Sequence, residues 1–571
     1  MSENRVISIL FPGGNDEGFK SISDTAWHDL GMDAICEKLS PKESERTLIA
    51  AVMKRMSKDP AICRYRTGVF EDLLKYPDMR KQLQTLLDKV QFLNDYGSFK
   101  REHDSRRGLW ELLHRLSELH DYILCVEDIQ KCLDSYETSS EGLSDLKEYL
   151  DRIYRDSFFA ELKKDVESLD ADTSSLRSLT VGINLNKSFE VDSIGLISVN
   201  SKEFKGSGIL NNFTNAVLSK NNIKDSNEWN GSMHFNQITG SEFESKLGSF
   251  GAFTAALYHP YMARTLASAP EKDATRYLTH FFDKDVSHAL GHLVKKLEQV
   301  LARYISFSIN DIAGLIPELL YYVRWAEYTE GLISKGYKLN PAETMQNDTN
   351  VRMNSEGLYN LKLAALAAEE PSDIVLNDID FTNEHTVYLL TGANRGGKTT
   401  ITQAIGQLFV MAQGGIRVPA QKFVYAPVDC IYTHFPADED KTMDLGRLGE
   451  ECRRFKEIYI DCTKDSLLLL NETFSTTSFE EGYYIAYDAV RALLKKGVRT
   501  VYNTHMHKLA TQIKVLNDEE NTKYNAASLV ALSGTGQRTF RIIVGDPEGK
   551  SYAEDIAKKY GVTYDKLVGN C

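Results

Sequence analysis

Hydrophobic residues recur every three or four positions over most of residues 20–175, a spacing that predicts amphipathic helices. One stripe predicts a helix over residues 109–133, and a second stripe starts after Ser140 and runs to Phe158. Such stripes are typical of the packed core of a helical bundle. The first stripe consists of Leu109, Leu112, Leu113, Leu116, Leu119, Ile123, Val126, Ile129 and Leu133.

The pattern changes between residues 178 and 260. Residues 179–184 and 189–199 are predicted to be strands on either side of a polar turn. Residues 201–241 are rich in Asn, Ser, Gly and Lys and lack a clear period, which predicts an insertion or a long loop. Lysines in this stretch are able to touch a phosphate backbone, although a solvated polar loop is the simpler interpretation. These lysines are Lys202, Lys205, Lys220 and Lys224.

Helical spacing resumes at Ala252 and continues to about Tyr337. Pro317 lies where a new helix could begin or where one kinks. The dipeptide Asn340-Pro341 ends the helical segment. Two helical blocks on either side of an irregular insertion predict an elongated, arm-like domain.

Strands and helices alternate from about residue 346 onward. The apolar runs at residues 387–390, 466–470 and 498–502 are predicted to be parallel strands of an α/β sheet. Open sheets of this kind bind ligands at the carboxyl ends of their strands. Candidate chemistry is therefore expected just after these three runs.

The composition supports a multidomain globular protein. The chain has 571 residues, 42% hydrophobic and 26% charged, which is usual for globular domains. No run of 18 apolar residues predicts a membrane span, and the N-terminus lacks a signal-peptide layout. Eight scattered cysteines without a Cys-x-x-Cys pair favour a reducing, cytoplasmic location over a zinc or disulfide framework. A net charge of −14 argues against wholesale coating of nucleic acid but leaves room for a local basic strip.

Residues 392–399 fit the phosphate-binding P-loop pattern Gly-x-x-x-x-Gly-Lys-Thr. An apolar run leads into this loop and a helix-like stretch leads out, so backbone N–H groups converge where a polyphosphate would bind. Lys398 is expected to reach the β- and γ-phosphates, and the Thr399 hydroxyl is expected to hold Mg²⁺. The predicted nucleotide-binding residues are Gly392, Ala393, Asn394, Arg395, Gly396, Gly397, Lys398, Thr399 and Thr400.

The next apolar run ends at Asn471-Glu472, where nucleotide-hydrolysing sites usually carry Asp followed by Glu. The Asn471 carbonyl oxygen can accept a hydrogen bond from a metal-bound water, but it brings no negative charge. Mg²⁺ is therefore expected to be held less strongly. Glu472 remains the candidate general base, with an incidental polar strand end as the alternative.

A third strand ends at Thr504-His505. The imidazole of His505 is a candidate donor to the γ-phosphate, and the alternative is a structural histidine. His507 is expected to point elsewhere. A His-x-His zinc site is not expected, because further ligands are missing nearby.

Taken together, these segments resemble the MutS family of DNA mismatch-repair ATPases. Residues 391–400 resemble its P-loop, and Thr504-His505 resembles its Thr-His pair. The matches span about residues 380–560, and residues 63–73 look like part of the family's core/lever region. Other similar segments are Val418-Pro419-Ala420-Gln421, Cys430-Ile431-Tyr432-Thr433 with acidic residues 438–440, the set Glu472, Thr477, Ser478 and Gly482, and Gly549-Lys550-Ser551-Tyr552.

The resemblance implies a homodimer in which two ABC-type ATPase domains face each other and bind ATP with Mg²⁺. A signature segment of the partner would complete each nucleotide site. Here Leu448 and Gly449 stand where the family has Ser and Thr, so the trans contact would fall to backbone N–H groups near Gly449 or to Arg447. Together with Asn471 this predicts slow hydrolysis, because each lost contact is worth roughly 2–4 kcal/mol in the transition state.

The expected fold class is multidomain, with an elongated, mostly α-helical core/lever domain followed by an α/β ABC-type P-loop ATPase domain. We expect a first core/lever part at residues 1–177 and an insertion at 178–275 that is a candidate for a reduced clamp. A second lever part is expected at 276–345 and the ATPase domain at 346–571. No segment at the N-terminus resembles the family's mismatch-recognition domain, and the stretch after Ser551 is too short for its extra C-terminal dimerisation helices, so we expect both parts to be absent.

The leading functional hypothesis is an ATP-binding, slowly hydrolysing, MutS-like protein that acts as a dimeric clamp on double-stranded DNA in repair or mismatch repair. The alternative is a nucleotide-gated module that grips a protein partner and binds little DNA. A transporter ATPase subunit is a weaker hypothesis, because its nucleotide-binding domain would lack the long helical arm.

Overall fold

The computed structural model describes most of the chain, and its described residues divide into two compact units. One unit comprises the described residues of Met1–Lys89, Ile129–Leu150 and Asn310–Cys571, and the other comprises those of Val90–Asp128 and Asp151–Ile309. The protein is thus a multidomain, helix-rich molecule with several sheets. The described residues are 7–14, 18–86, 109–173, 178–188, 191–200, 290–304, 314–346, 351–366, 370–382, 384–392, 396–436, 446–520, 523–533, 538–546 and 560–568.

Several predicted segments fall outside these residues. They include residues 201–241 with Lys202, Lys205, Lys220 and Lys224, the acidic residues 438–440, and residues 549–552. Among the described residues, no helix is both long and apolar enough to cross a membrane.

The described helices follow the predicted stripes closely. The stripe at residues 109–133 forms one helix, and Pro317 lies in the first turn of another, where the missing proline N–H costs no helical hydrogen bond. The second stripe divides into two helices at Asp156. The helices of the first 340 residues whose bounds are described are Asp24–Asp29, Met32–Leu39, Glu43–Lys54, Pro60–Lys75, Leu109–Asp134, Glu141–Arg155, Ser157–Thr173, Gly291–Leu301 and Leu315–Ser334.

The strands expected around residues 179–199 form an antiparallel hairpin of Ser178–Leu185 and Val191–Asn200. At the tip, the Asn186 side chain accepts a hydrogen bond from the Ser188 backbone N–H at 2.8 Å, which closes the turn. The strand prediction for this segment is confirmed.

The carboxyl-terminal third of the chain contains a six-stranded sheet. Its strands are β1 (His385–Thr391), β2 (Ile431–His434), β3 (Leu467–Asn471), β4 (Arg499–Asn503), β5 (Asn525–Ser533) and β6 (Arg538–Val544). Their order is β2-β3-β4-β1-β5-β6, with parallel pairing except for the antiparallel pair β5–β6. The three predicted parallel strands are confirmed as β1, β3 and β4. The carboxyl ends of these parallel strands lie at the same edge of the sheet, and the candidate site residues follow them there.

Three helices connect or flank these strands: Lys398–Gln413, Gly446–Asp461 and Phe479–Lys496. The Ser478 side chain caps the last of them by accepting from the Glu481 N–H, and Gly497 ends it in the left-handed conformation. The remaining helices of this part are Leu361–Leu366, His507–Thr511, Ile513–Glu520 and Tyr564–Val568.

A second, four-stranded sheet of mixed direction packs in the same unit. It follows the order Glu343–Thr344, Lys422–Tyr425, Val351–Leu358, Asn377–Thr382. Its strands contribute Phe381 and Phe423 to the core, and Phe381 stacks on Tyr388 of β1. The linear pattern did not predict this sheet as a separate element.

The amino-terminal segment packs directly on the carboxyl-terminal third. Arg66 is fully buried; its Nε donates to the Leu10 carbonyl at 3.0 Å, and one of its terminal nitrogens donates to the Gln413 carbonyl at 2.9 Å. Gly415 has φ +81°, and a Cβ there would lie 2.3 Å from the Arg66 Cβ, so the two backbones are in close contact. Residues near the start of the chain therefore support the helix that follows the P-loop.

Candidate functional site

The P-loop joins β1 to the helix Lys398–Gln413, as its sequence predicts. Gly392 has φ +143°, and a Cβ there would lie 2.7 Å from the Ala531 Cβ of the neighbouring strand β5. Gly397 is left-handed at φ +86° and caps the helix. Both positions therefore favour glycine, because each has a positive φ and a Cβ at Gly392 would also clash with Ala531.

The other predicted loop residues are placed as follows. Gly396 is buried, and Thr400 lies half-buried in the first turn of the helix. The Thr400 carbonyl accepts a hydrogen bond from the Asn360 side chain at 2.9 Å, which fixes this turn. Ala393, Asn394 and Arg395 lie outside the described residues.

Lys398 is a buried cation beside the loop. Its Nζ donates to the Gly392 carbonyl at 3.0 Å. Burial lowers the pKa of this ammonium group, and the nearby Glu472 carboxylate partly opposes that effect. A bound polyphosphate would supply the negative charge that favours the ammonium form, so the side chain is suited to anion binding.

Thr399, Asn471 and Asn503 form one hydrogen-bonded cluster at the ends of β3 and β4. The Thr399 hydroxyl donates to Asn471 Oδ1 at 3.0 Å, and Asn503 Nδ2 donates to the same oxygen. Asn503 Nδ2 also lies 3.4 Å from Thr399 Oγ1. The Thr399 hydrogen thus points at Asn471 and one lone pair of Thr399 Oγ1 accepts from Asn503, which leaves the second lone pair available to a metal.

The sequence indicated a candidate role for His505 but none for Asn503, which lies two residues before it. Asn503 is fully buried, and it is the register partner of Asn471 across β3 and β4. The signal that could have found it is its place directly after the predicted parallel strand at residues 498–502, as Asn471 directly follows the predicted strand at residues 466–470.

Glu472 and His505 lie together at the same edge, with His505 Nε2 2.7 Å from Glu472 Oε1. The hydrogen bond from His505 is the largest cause that lowers the pKa of the Glu472 carboxyl, and the charges of His505 and Lys398 add to it. Glu472 also has φ +53°, an uncommon conformation for a residue with a side chain. Its N–H donates to the Asn503 carbonyl at 2.8 Å, which holds this turn.

His507 begins the short helix His507–Thr511, and its Nδ1 is buried without a partner among the described residues. Burial is the main cause that lowers the pKa of the ring, and electrostatic interactions with Lys398 and His505 lower it further. The expectation that His507 points away from the nucleotide stays a prediction.

The predicted signature residues occupy the first turn of the helix Gly446–Asp461. Arg447 is exposed, and Gly449 is half-buried. The Leu448 side chain packs against the hydrophobic core formed by β3, β4 and the helix Phe479–Lys496. Leucine at this position therefore packs against the hydrophobic core of this chain, a role that a serine would not fill.

The donor set suits a magnesium nucleotide. Mg²⁺ prefers hard oxygen ligands and is commonly held by one or two protein groups together with the substrate phosphates. Thr399 Oγ1, Asn471 Oδ1 and the Glu472 carboxylate supply such oxygens at one edge. Among the described residues no cluster of three or more His, Cys, Asp or Glu side chains offers an all-protein metal site.

Comparisons with known proteins agree with this geometry. Residues 388–565 match MutS domain V, and residues 58–228 match the MutS2 N-terminal domain. The chain is 29% identical over 195 residues to "Endonuclease MutS2" of Thermus thermophilus, covering 34% of this chain and 25% of that protein. It is 30% identical over 190 residues to "DNA mismatch repair protein MutS" of Thermotoga petrophila, covering 33% and 24%.

A third relative, "Endonuclease MutS2" of Bacillus velezensis, is 26% identical over 279 residues, which is 49% of this chain and 34% of the relative. The aligned segments thus span about a quarter to a third of the relatives' own lengths. The match to MutS domain V coincides closely with the predicted ATPase resemblance at about residues 380–560, and the match to the MutS2 N-terminal domain includes residues 63–73. The chain belongs to the MutS family.

Proposed function

We propose that this protein is an ATP-binding, slowly hydrolysing MutS-family protein that works as a nucleotide-controlled dimeric clamp on double-stranded DNA. The observation that carries the nucleotide part is the convergence of Lys398, Thr399, Asn471 and Glu472 at the carboxyl edge of one parallel sheet. The nuclease activity in two relatives' names is left out of the proposal, because the alignments cover so little of those proteins.

The roles of the groups follow from their chemistry. Lys398 and the loop N–H groups would bind the phosphates, while Thr399 and Asn471 would hold Mg²⁺. The metal, when bound, neutralises charge that develops on the phosphate oxygens. Glu472 would be ionised near neutral pH like an ordinary glutamate, and the hydrogen bond from His505 lowers its pKa further, so the carboxylate can orient a water and accept its proton.

Slow turnover is supported by two features of this chain. Asn471 contributes an oxygen but no charge to the metal site, so charge neutralisation is weaker than with a carboxylate. Leu448 is packed into the core of its own subunit, so its side chain offers no hydroxyl to a partner's nucleotide. Each deficit is of the size that reduces rates by roughly a hundredfold.

Dimerisation through the two ATPase domains would bring the first turn of the helix Gly446–Asp461 to the partner's nucleotide. The first N–H groups of a helix have no acceptor within that helix and suit an anion, and Arg447 is exposed on the same turn. Nucleotide-dependent closure of this pair is the switch that we propose for the clamp.

The nucleotide part is tested with a fluorescent ATP analogue, mant-ATP, titrated against the full chain with Mg²⁺ and with EDTA. We expect saturable binding with Mg²⁺ that Lys398→Ala abolishes. The matched control is Lys422→Ala, because Lys422 is a partly exposed strand lysine paired with Glu356 away from the loop. Equal binding by Lys398→Ala and the unchanged protein would reject the assignment of the loop.

The DNA part is tested by the salt dependence of duplex binding in the presence of a slowly hydrolysed ATP analogue. Contact with phosphates predicts that log affinity falls linearly with log salt concentration, by about 0.9 per neutralised phosphate. A slope of zero, or no binding at low salt, would favour the alternative of a nucleotide-gated module that grips a protein partner.

A further inference from the structure

Asn471 creates an ambiguity that an aspartate would not have. A carboxylate presents an oxygen in either orientation, whereas a carboxamide presents an oxygen in one orientation and an NH₂ group in the other. If the Asn471 NH₂ group were turned toward Thr399, the Thr399 hydrogen would lose its acceptor, and the positive end of the amide would repel a cation. Asn471, the uncharged residue at the end of β3, can therefore contribute an oxygen to a metal site only if a neighbouring group fixes the orientation of its amide.

Asn503 supplies that constraint in this structure. Its Nδ2 donates hydrogen bonds to Asn471 Oδ1 and to Thr399 Oγ1. The Asn503 NH₂ group therefore favours the orientation of the Asn471 amide in which the oxygen, and not the nitrogen, faces it. The Thr399 hydroxyl donates to the same Asn471 oxygen. Two donors converge on one acceptor, and turning the Asn471 amide alone would place its NH₂ against the Asn503 NH₂.

The burial of Asn503 makes the constraint strong. Its side chain is inaccessible to solvent, and parallel pairing of β3 and β4 sets it opposite Asn471 in register. Its Oδ1 has no partner among the described residues, an arrangement that is costly in a protein interior. The donor end of this amide is satisfied while its acceptor end is not, which points to the donor as the functional end.

We propose that Asn503 is a positioning residue for the metal–nucleotide site: it locks the Asn471 amide with its oxygen toward Thr399 and so adapts a neutral strand end to divalent cation binding. This inference rests on the proposed nucleotide function. By fixing the orientation of the Asn471 amide, Asn503 of β4 would compensate for part of the metal affinity that a carboxylate would provide through its charge.

The experiment measures how much Mg²⁺ is needed for half-maximal mant-ATP binding by the full chain, together with mant-ATP affinity in EDTA. Four proteins are compared: the unchanged chain, Asn503→Leu, Asn471→Asp, and the double variant Asn471→Asp/Asn503→Leu. Thr500→Val is the matched control, because Thr500 is equally buried on β4 and its hydroxyl bonds only to a backbone carbonyl among the described contacts. Asn503→Ala, which also lacks a donor and adds no volume, replaces the leucine variant if that one fails to fold.

We expect Asn503→Leu to raise the half-saturating Mg²⁺ concentration about fivefold, the effect of losing one typical hydrogen bond. Binding in EDTA should stay unchanged, since Asn503 acts on the metal ligand and not on the nucleotide. In the Asn471→Asp background the same substitution should cause no rise, because the carboxylate presents an oxygen in both orientations. Thr500→Val should behave like the unchanged chain.

Two results would overturn the inference. The first is a Mg²⁺ requirement that Asn503→Leu leaves unaltered. The second is an equal rise whether or not the Asn471→Asp substitution is present, which would indicate a packing role alone. Failure of the proposed function would look different, because the unchanged chain would then bind mant-ATP neither with Mg²⁺ nor without it.

Discussion

His505 Nε2 lies 2.7 Å from Glu472 Oε1, so the two candidate catalytic side chains at the sheet edge are hydrogen-bonded to each other. A nitrogen that donates to Glu472 cannot donate to a phosphate at the same time. If the proposed nucleotide binds and Nε2 is the atom that donates to its γ-phosphate, we expect His505 to turn away from Glu472 and leave the carboxylate free to contact water. The predictions below test this proposed coupling between nucleotide binding and Glu472.

Glu472→Gln is expected to lower ATP turnover by at least about a hundredfold while mant-ATP binding persists, because a carboxamide cannot accept the proton of the attacking water. Phosphate release and mant-ATP binding are the two measurements. If hydrolysis drives opening, sedimentation in ATP should also show more dimer than for the unchanged chain. The control is Glu480→Gln, an exposed carboxylate at the start of the next helix. Unchanged turnover in Glu472→Gln would remove Glu472 from its assigned role.

The acid limb of the pH–turnover profile should depend on His505. The hydrogen bond from His505 is the main cause of the lowered pKa of Glu472, so the carboxylate remains ionised below the usual range for glutamate. His505→Phe removes the donor and should raise that pKa, which moves the acid limb to higher pH. His505→Gln keeps an N–H donor and should move it less. If the acid limbs of both variants lie at the same pH as that of the unchanged chain, His505 does not control the ionisation of Glu472.

The sequence predicted local structure that lies within short segments. The loop around Lys398 and the strand ends at Glu472 and His505 are recognisable because each combines an apolar run with polar residues directly after it. β3 and β4 were predictable for the same reason. The hairpin Ser178–Leu185/Val191–Asn200 was predictable from two short strand-like runs around a polar turn.

Features that depend on pairing across the chain were not predictable. The importance of Asn503 arises from its register with Asn471, which is decided by the packing of two strands and leaves no mark on either segment alone. The contact between Arg66 and the Gln413 carbonyl joins positions 347 residues apart. Helical periodicity shows which face of Pro60–Lys75 is buried, but it does not show what covers that face.

Asn471→Asp should lower the Mg²⁺ concentration needed for nucleotide binding by about tenfold and should raise turnover. The carboxylate keeps the acceptor for the Thr399 hydroxyl and adds a negative charge beside the metal position, and charge-assisted bonds are about twice as strong as neutral ones. Mg²⁺ titration of mant-ATP binding and steady-state phosphate release provide the measurements. A fall in both Mg²⁺ affinity and turnover would mean that the site is built around the neutral amide.

Arg66→Met should reduce the free energy of unfolding by about 3 kcal/mol, because two buried carbonyls lose their donors and methionine cannot replace them. The guanidinium binds Leu10 and Gln413 and lies 5.0 Å from the Phe11 ring centroid, so its loss loosens the amino-terminal segment from the P-loop helix. Urea unfolding measures the change. Arg64→Met, on the exposed face of the same helix, should change the free energy by less than about 0.5 kcal/mol. Equal stability of Arg66→Met and the unchanged protein would show that this amino-terminal contact does not support the ATPase unit.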